Sequence, residues 1–151
     1  MRSRRNMFAA VAVSVILLLF ACASLVRAAD PADQIGLGYD AILKANPMPP
    51  GEKAQAIRIG GDETATLFVA RFAAGGEVKP HFHKTHSEIL YVIEGTGRMI
   101  IDGKEIDIKP GSILMNPMGK VHSMKNTGSG EIVFFQIFAP EWKEPDRVLA
   151  P

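Results

Sequence analysis

This chain of 151 residues is poor in cysteine, tryptophan and tyrosine and has almost no net charge. Cys22 is the only cysteine, so no disulfide can form within the chain and its stability must come from a packed core. No internal repeat and no low-complexity linker divides the sequence. Together with the length, these absences predict a single domain.

Long hydrophobic runs are also missing, except for one near the N-terminus at residues 8–21. A basic stretch precedes this run, and small residues flank Arg27 at positions 26–28. The run is short for a spanning helix and polar chain follows it, so no lasting membrane span is expected. The pattern predicts a signal peptide over residues 1–28, cleaved before Ala29, and therefore export to the periplasm or the extracellular space.

A second interpretation of the N-terminus is a lipoprotein box at residues 19–22, with Cys22 as the acylated residue. The bulky Phe20 is atypical in such a box, so this interpretation fits less well, although it also exports the protein. Cleavage after Ala28 would remove four arginines and no acidic residue, which takes the formal charge from +1 to −3. A mildly acidic domain has no electrostatic footprint for nucleic acid, and none is expected as a partner.

The remaining chain divides into a lead-in over residues 29–53, a β-rich domain over 54–140 and a polar tail over 141–151. Residues 37–45 are expected to form a short helix, which the proline-rich residues 46–51 end. From residue 54 onward, short runs rich in Val, Ile, Phe and Thr alternate with turn residues. Strands are predicted at 55–60, 64–73, 77–83, 87–94, 97–102, 104–108, 112–116, 120–126 and 131–138.

Asp102 and Gly103 lie between two of these runs and predict a tight hairpin, because this dipeptide accepts the positive φ angles of a type I′ turn. Evenly spaced short strands with frequent turns favour an all-β sandwich or closed barrel. On residues 131–138 both faces are apolar, so one face should pack the core and the other should meet a further layer.

Two histidine clusters between residues 75 and 126 predict one metal site. His81 and His83 point to the same side of a strand because side chains alternate, and Glu88 follows on the next run. His122 comes from a distant strand and shares its face with Met124 and Asn126. Three imidazoles and one carboxylate suit a first-row divalent metal.

These residues resemble the two motifs of the cupin superfamily. The first motif, G-x5-H-x-H-x4-E-x6-G, is matched by Gly75, His81, His83, Glu88 and Gly95. The second, G-x5-P-x-G-x2-H-x3-N, is matched by Gly111, Pro117, Gly119, His122 and Asn126. All ten motif positions agree, and the spacing between the motifs is similar to that of small single-domain cupins.

The resemblance implies a double-stranded β-helix, or jelly roll, with a short N-terminal lead-in. It implies one divalent ion, Fe, Mn, Ni, Zn or Cu, bound by His81, His83, Glu88 and His122. It also implies a small-molecule ligand in the barrel and a homodimer, with the second subunit as the further layer.

Other side chains are assigned from the residues alone. His86 is expected to be a solvated loop residue and not a ligand. Met115, Met118 and Met124 are expected in the core, with the lining of a pocket as the alternative. Gln136 is a candidate contact to the site or a surface residue, and Tyr91 and Arg98 are weaker candidates.

Three functions stay open. The first is dioxygenase-type chemistry, in which a substrate chelates the metal and Glu88 acts as a base. The second is a non-redox lyase or isomerase that acts on a sugar acid or small carboxylate, with the metal polarising a carbonyl. The third is a binding or sensor protein without turnover. A cupin barrel serves so many reactions that the fold does not choose between them.

Overall fold

The structure is a computed structural model, and it describes residues 36–150. The predicted signal peptide, its cleavage site and Cys22 lie outside these residues. Within them, one helix, α1 (Tyr39–Ala45), precedes ten strands. The strands are β1 (Ala54–Gly61), β2 (Thr66–Phe72), β3 (Glu77–His83), β4 (Ser87–Glu94), β5 (Gly97–Ile101), β6 (Lys104–Ile108), β7 (Ile113–Asn116), β8 (His122–Asn126), β9 (Ile132–Ala139) and β10 (Arg147–Leu149).

The strands form two five-stranded antiparallel sheets that face each other. One has the order β1-β2-β9-β4-β7 and the other the order β10-β3-β8-β5-β6. This jelly roll confirms the predicted all-β fold, and nine strands agree with the predicted bounds to within two residues. Over residues 36–150 no helix has the length and apolar character needed to cross a membrane.

The main core fills the space between the two sheets. Alternation along β2, β4 and β9 points every second side chain inward, where burial of apolar surface stabilises the barrel. The largest fully buried side chain is Phe134 on β9, whose ring packs edge-on against Phe72 at 5.3 Å. The buried members are Ala70, Phe72, Leu90, Val92, Met99, Ile108, Leu114, Met124, Ile132 and Phe134.

A second, smaller core lies on the outer face of the first sheet. Ile42 of α1 is buried there against Ile57, Val69 and Val133. The lead-in therefore covers part of the outer face of β9, so the chain itself supplies some of the layer that was expected from a second subunit.

The hairpin between β5 and β6 turns at the predicted residues. Asp102 has φ 50° and Gly103 has φ 81°, the two positive angles that a type I′ turn requires. The turn pairs Ile101 with Lys104 and so fixes the register of β5, which lies beside β8.

Part of the polar tail forms a strand. β10 pairs with β3, placing Arg147 opposite His83 and Leu149 opposite His81. Residues 140–149, here named the C-terminal segment, therefore lie along the strand that carries two of the predicted metal ligands.

The prediction that Met115 and Met118 are core residues is wrong, because they are 55% and 56% exposed. Met115 lies on the outer face of β7, and Met118 lies in the turn that follows that strand. Met124, on the inner face of β8, is buried as predicted.

Candidate metal centre

Three histidines converge on the inner face of the second sheet. His81 on β3 and His122 on β8 are direct cross-strand partners, with ring centroids 4.3 Å apart. His83 lies two residues beyond His81 and therefore on the same face, as predicted, with its ring 5.2 Å from that of His122. All three side chains are buried, and one ligand atom from each lies within 4.8 Å of the others.

Each of these imidazoles has its Nδ1 atom engaged by an acceptor. His81 Nδ1 lies 2.8 Å from the carbonyl oxygen of Lys79, and His122 Nδ1 lies 3.0 Å from that of Lys120. His83 Nδ1 lies 3.1 Å from Oδ2 of Asp146. Because a carbonyl or carboxylate oxygen can only accept, Nδ1 carries the proton and Nε2 is left with a free lone pair.

Glu88 comes from the opposite sheet and lies beside two of the three histidines. Its Oε2 atom lies 3.2 Å from His122 Nε2 and 4.0 Å from His83 Nε2. Asn116 Nδ2 donates to the same Oε2 at 2.6 Å, and Gln136 Nε2 donates to Oε1. The carboxylate is thus held between amide donors from the strands on either side of β4.

The protonation states suit cation binding. Burial lowers the pKa of His81 and of His83 to about 4, which keeps both imidazoles neutral near pH 7. Burial opposes ionisation of Glu88, but the hydrogen bonds from the amide groups of Asn116 and Gln136 favour the carboxylate, and its pKa is lowered. The site therefore offers neutral imidazoles at His81 and His83 and one carboxylate, the forms in which these groups ligate metals.

Ring nitrogens at this site lack hydrogen-bond partners, as expected of atoms that bind a metal. Nε2 of His83 and Nε2 of His122 are buried and find no hydrogen-bond partner within residues 36–150, and the same holds for both ring nitrogens of the neighbouring His86. Unpaired buried polar atoms are costly and uncommon in folded proteins. An ion at this point would satisfy Nε2 of His83 and Nε2 of His122, so the three convergent histidines could hold a metal.

The prediction that His86 is a solvated loop residue is wrong. His86 is fully buried, since Phe138 and Trp142 pack on its ring with centroids 4.8 Å away. Its Nε2 atom lies 3.3 Å from Asp146 Oδ2. Burial lowers the pKa of His86, so this imidazole is also neutral near pH 7. The C-terminal segment covers the turn, and the sequence of the turn carries no sign of that cover.

Of the remaining candidates for the site, one contacts it and two lie at the surface. Gln136 contacts the site through Glu88, the first of the two positions considered for it. Tyr91 is 45% exposed on the outer face of β4, and Arg98 pairs with Glu105 and Asp107 at the surface. Neither Tyr91 nor Arg98 lies at the site.

Two contributors were missed by the sequence analysis. Asn116 lies directly opposite Glu88 in the β4–β7 register, and sequence patterns do not determine register. Asp146 lies in a polar stretch between Glu144 and Arg147 that resembles ordinary surface chain. No motif marks either residue.

A cavity of about 500 Å³ opens beside the histidines. Its walls are mainly apolar and combine an aromatic side with a methionine side; among them are Phe68, Phe72, Phe134, Phe138, Met99 and Met124. Polar side chains such as Gln55 and Arg147 line it as well. The cavity has the size and character of a small-molecule site, with the imidazoles and Glu88 as its convergent polar groups.

Comparison with known proteins places the chain among proteins of this fold. Residues 68–138 match the family described as cupin domain. An oxalate-binding protein of Thermotoga maritima is 33% identical over 74 residues, which are 48% of this chain and 61% of that protein. The quercetin 2,3-dioxygenase of Bacillus subtilis is 39% identical over 51 residues, 34% of this chain and 15% of the enzyme. The chain thus spans less than two thirds of either relative.

Among solved structures, a conserved protein of Klebsiella pneumoniae with a double-stranded β-helix domain superposes with a TM-score of 0.60. The match is 22% identical and covers 69% of this chain and 90% of that protein. At this identity the likeness concerns the fold, and it agrees with the two-sheet jelly roll described above.

Proposed function

Because residues 68–138 form a cupin domain, we propose that this protein binds one divalent metal ion through Nε2 of His81, His83 and His122 and the carboxylate of Glu88. The observation that supports this most is the pair of buried Nε2 atoms without partners, each on a ring whose Nδ1 proton is already donated. A bound metal supplies Lewis acidity, and an iron or manganese ion also supplies one-electron chemistry.

Elemental analysis of protein purified from its native location tests the metal proposal. One equivalent of a first-row metal is expected in the wild type. His81→Ala, His83→Ala and His122→Ala should each abolish tight binding, since each removes one of four ligands. Wild-type protein that holds no stoichiometric metal, or ligand variants that keep it, would contradict the proposal.

The second part of the proposal concerns the ligand. The cavity beside the imidazoles has aromatic and methionine walls, so it favours a small molecule with an apolar body. Two neighbouring oxygens on that molecule would let it chelate the metal. We propose dioxygenase-type turnover, in which both atoms of O2 enter the ligand and no external reductant is needed. The stretch similar to quercetin 2,3-dioxygenase supports this chemistry.

The residues of this chain would orient that ligand and exclude water. Phe134, Phe138 and Met124 line the cavity and would pack against the apolar body. The pKa of Glu88 is lowered and both its oxygens accept hydrogen bonds, so it is held as a carboxylate, the form that ligates a metal. To act as a base, the Glu88 carboxylate would have to give up one of these hydrogen bonds and accept a proton from the bound molecule.

Oxygen consumption with chelating diols and flavonols tests this second part. Iron- or manganese-loaded protein is expected to take up one O2 per molecule of ligand consumed, while zinc-loaded protein should bind the ligand without turnover. Turnover that survives zinc replacement without oxygen uptake would favour the lyase or isomerase alternative. Ligand binding with no turnover under any metal would favour the binding-protein alternative.

We also propose that the protein acts outside the cytoplasm after cleavage before Ala29, on the strength of the N-terminal pattern. N-terminal sequencing of the protein from the exported fraction should begin at Ala29. A chain that keeps its N-terminus and stays in the cytoplasm would contradict this proposal.

Finally, we propose a homodimer. Apolar side chains on the outer face of β4 and β7 form exposed cross-strand pairs, Ile89 with Met115 and Tyr91 with Ile113, and β7 is a sheet edge. Such patches favour association. Light scattering should give twice the chain mass, and Ile113→Glu should give the monomer; a monomeric wild type would contradict the proposal.

A further inference from the structure

We propose that Asp146 is a positioning residue for the metal centre, because its carboxylate holds His83 in the tautomer and orientation that present Nε2 to the other ligands. This inference rests on the proposed metal site. It assigns a part in that site to the C-terminal segment, which lies beyond the residues that match the cupin family.

The contact is long-range and buried. Asp146 Oδ2 lies 3.1 Å from His83 Nδ1, across 63 positions of sequence, and the two side chains are 1% and 3% exposed. A neutral imidazole carries one proton, so its donation at Nδ1 leaves the lone pair on Nε2. Carboxylate partners of this kind fix the ring orientation and raise the basicity of metal-bound histidines in many proteins.

The carboxylate divides its two oxygens between separate tasks. Oδ1 accepts from the backbone N–H groups of Lys84 and Thr85, at 3.1 and 2.7 Å, and from the Thr85 hydroxyl at 2.5 Å. Oδ2 faces His83 and, at 3.3 Å, Nε2 of His86. Oδ1 therefore anchors the C-terminal segment to the turn at Lys84 and Thr85, and Oδ2 contacts the candidate ligand His83.

The geometry places Asp146 as an acceptor towards His83. Three donors from Lys84 and Thr85 surround Oδ1, so the hydrogen bond to His83 Nδ1 is made through Oδ2.

The substitution Asp146→Asn separates the two tasks. Three donors surround the position of Oδ1, so the amide oxygen should take that place and keep the C-terminal segment anchored. The amide NH2 would then face His83 Nδ1 and donate to it. His83 would have to accept at Nδ1 and carry its proton on Nε2, the atom proposed to bind the metal.

Thr85→Val is the matched control. It removes the hydroxyl that donates to Oδ1 and leaves the contact between Oδ2 and His83 in place. An effect that comes only from loosening the C-terminal segment should appear in both variants. An effect through His83 should appear in Asp146→Asn alone.

Two readouts on full-length protein test the proposal: the His83 tautomer, from long-range 1H–15N NMR in the presence of a chelator, and zinc affinity, from competition with a chromophoric chelator. We expect Nδ1–H in the wild type and in Thr85→Val and Nε2–H in Asp146→Asn. Zinc should bind Asp146→Asn about 10- to 100-fold more weakly. Thr85→Val should match the wild type.

Several results would overturn the proposal. They are an Nε2–H tautomer in metal-free wild type, wild-type affinity in Asp146→Asn, or an equal loss in Thr85→Val. Two zinc equivalents falling to one in Asp146→Asn would instead place an ion among His83, His86 and Asp146 and would also overturn it. A wild type that binds no zinc would refute the metal site itself, whereas bound zinc with an unchanged tautomer would refute only the role of Asp146.

Discussion

Two of the three candidate imidazole ligands are held by nearby backbone, and the third is held by a distant part of the chain. His81 and His122 each place Nδ1 against the carbonyl oxygen two residues earlier. His83 places Nδ1 against Asp146 in the C-terminal segment. The barrel alone therefore orients two ligands, while the orientation of His83 depends on how the C-terminal segment packs beside β3.

The difference has a physical basis. A backbone carbonyl is present whatever the side chain, so the local contacts follow once β3, β8 and the residues that lead into β8 are in place. The contact to His83 requires a buried carboxylate and the hydrogen bonds that keep it in place, which makes it sensitive to single substitutions. We expect variants of the two regions to behave differently.

The largest expected effect comes from removing a locally held ligand. His122→Ala should weaken zinc binding by more than about 100-fold, beyond what changes around a ligand typically cause. Titration against a competing chelator would measure it. Wild-type affinity in this variant would mean that His122 is no ligand.

Loss of the cover over His83 should come next. The Trp142 ring packs 5.4 Å from His83 and 4.6 Å from Phe138, so Trp142→Ala should lower the free energy of unfolding by about 2 kcal/mol, less than the ~3–5 kcal/mol of a fully buried ring. Chemical denaturation would measure it. Leu149→Ala, 66% exposed in the same segment, is the control and should change stability by less than about 0.5 kcal/mol. Equal losses of stability in the two variants would mean that the Trp142 ring does not stabilise the packing around His83.

Replacing His86 tests whether a buried histidine beside the site also binds the metal. Its ring lies 4.4 Å from that of His83, but its Nε2 atom faces Asp146 and His86 is not among the three histidines whose ligand atoms converge, so His86→Ala should keep one metal equivalent. Affinity should fall by no more than about tenfold, the lower end for residues around a ligand. Elemental analysis would decide, and loss of the metal would require a new ligand assignment.

The smallest effect is expected where a side chain is replaced but its carbonyl contact is kept. Lys120 holds His122 through its backbone, and its side chain makes only an exposed ion pair with Asp102. Lys120→Met should therefore leave zinc affinity within about twofold and stability within about 1 kcal/mol. A loss of zinc affinity comparable to that of Asp146→Asn would mean that the locally held ligands and His83 do not differ in this way.

The same division separates what the sequence predicted from what it missed. Period-two alternation was enough to place His81 with His83 and His122 with Met124, because a strand fixes these relations locally. The Asp102–Gly103 turn was also predictable, since few dipeptides adopt its backbone angles.

Three of the missed features depend on long-range pairing. β10 is three residues long, and its pairing with β3 follows from the path of the C-terminal segment. The burial of His86 follows from the same path, and the contact of Asn116 with Glu88 follows from strand register. Met115 and Met118 were misplaced because methionine is common both in cores and on apolar outer faces.

The central claim is that three imidazoles meet one ion through Nε2, and 15N NMR of the imidazoles during zinc titration tests it most directly. The account predicts that the Nε2 signals of His81, His83 and His122 move to metal-bound positions together and stop changing at one equivalent, while His86 keeps both of its nitrogen signals. Unmoved Nε2 signals, or binding through His86, would contradict it.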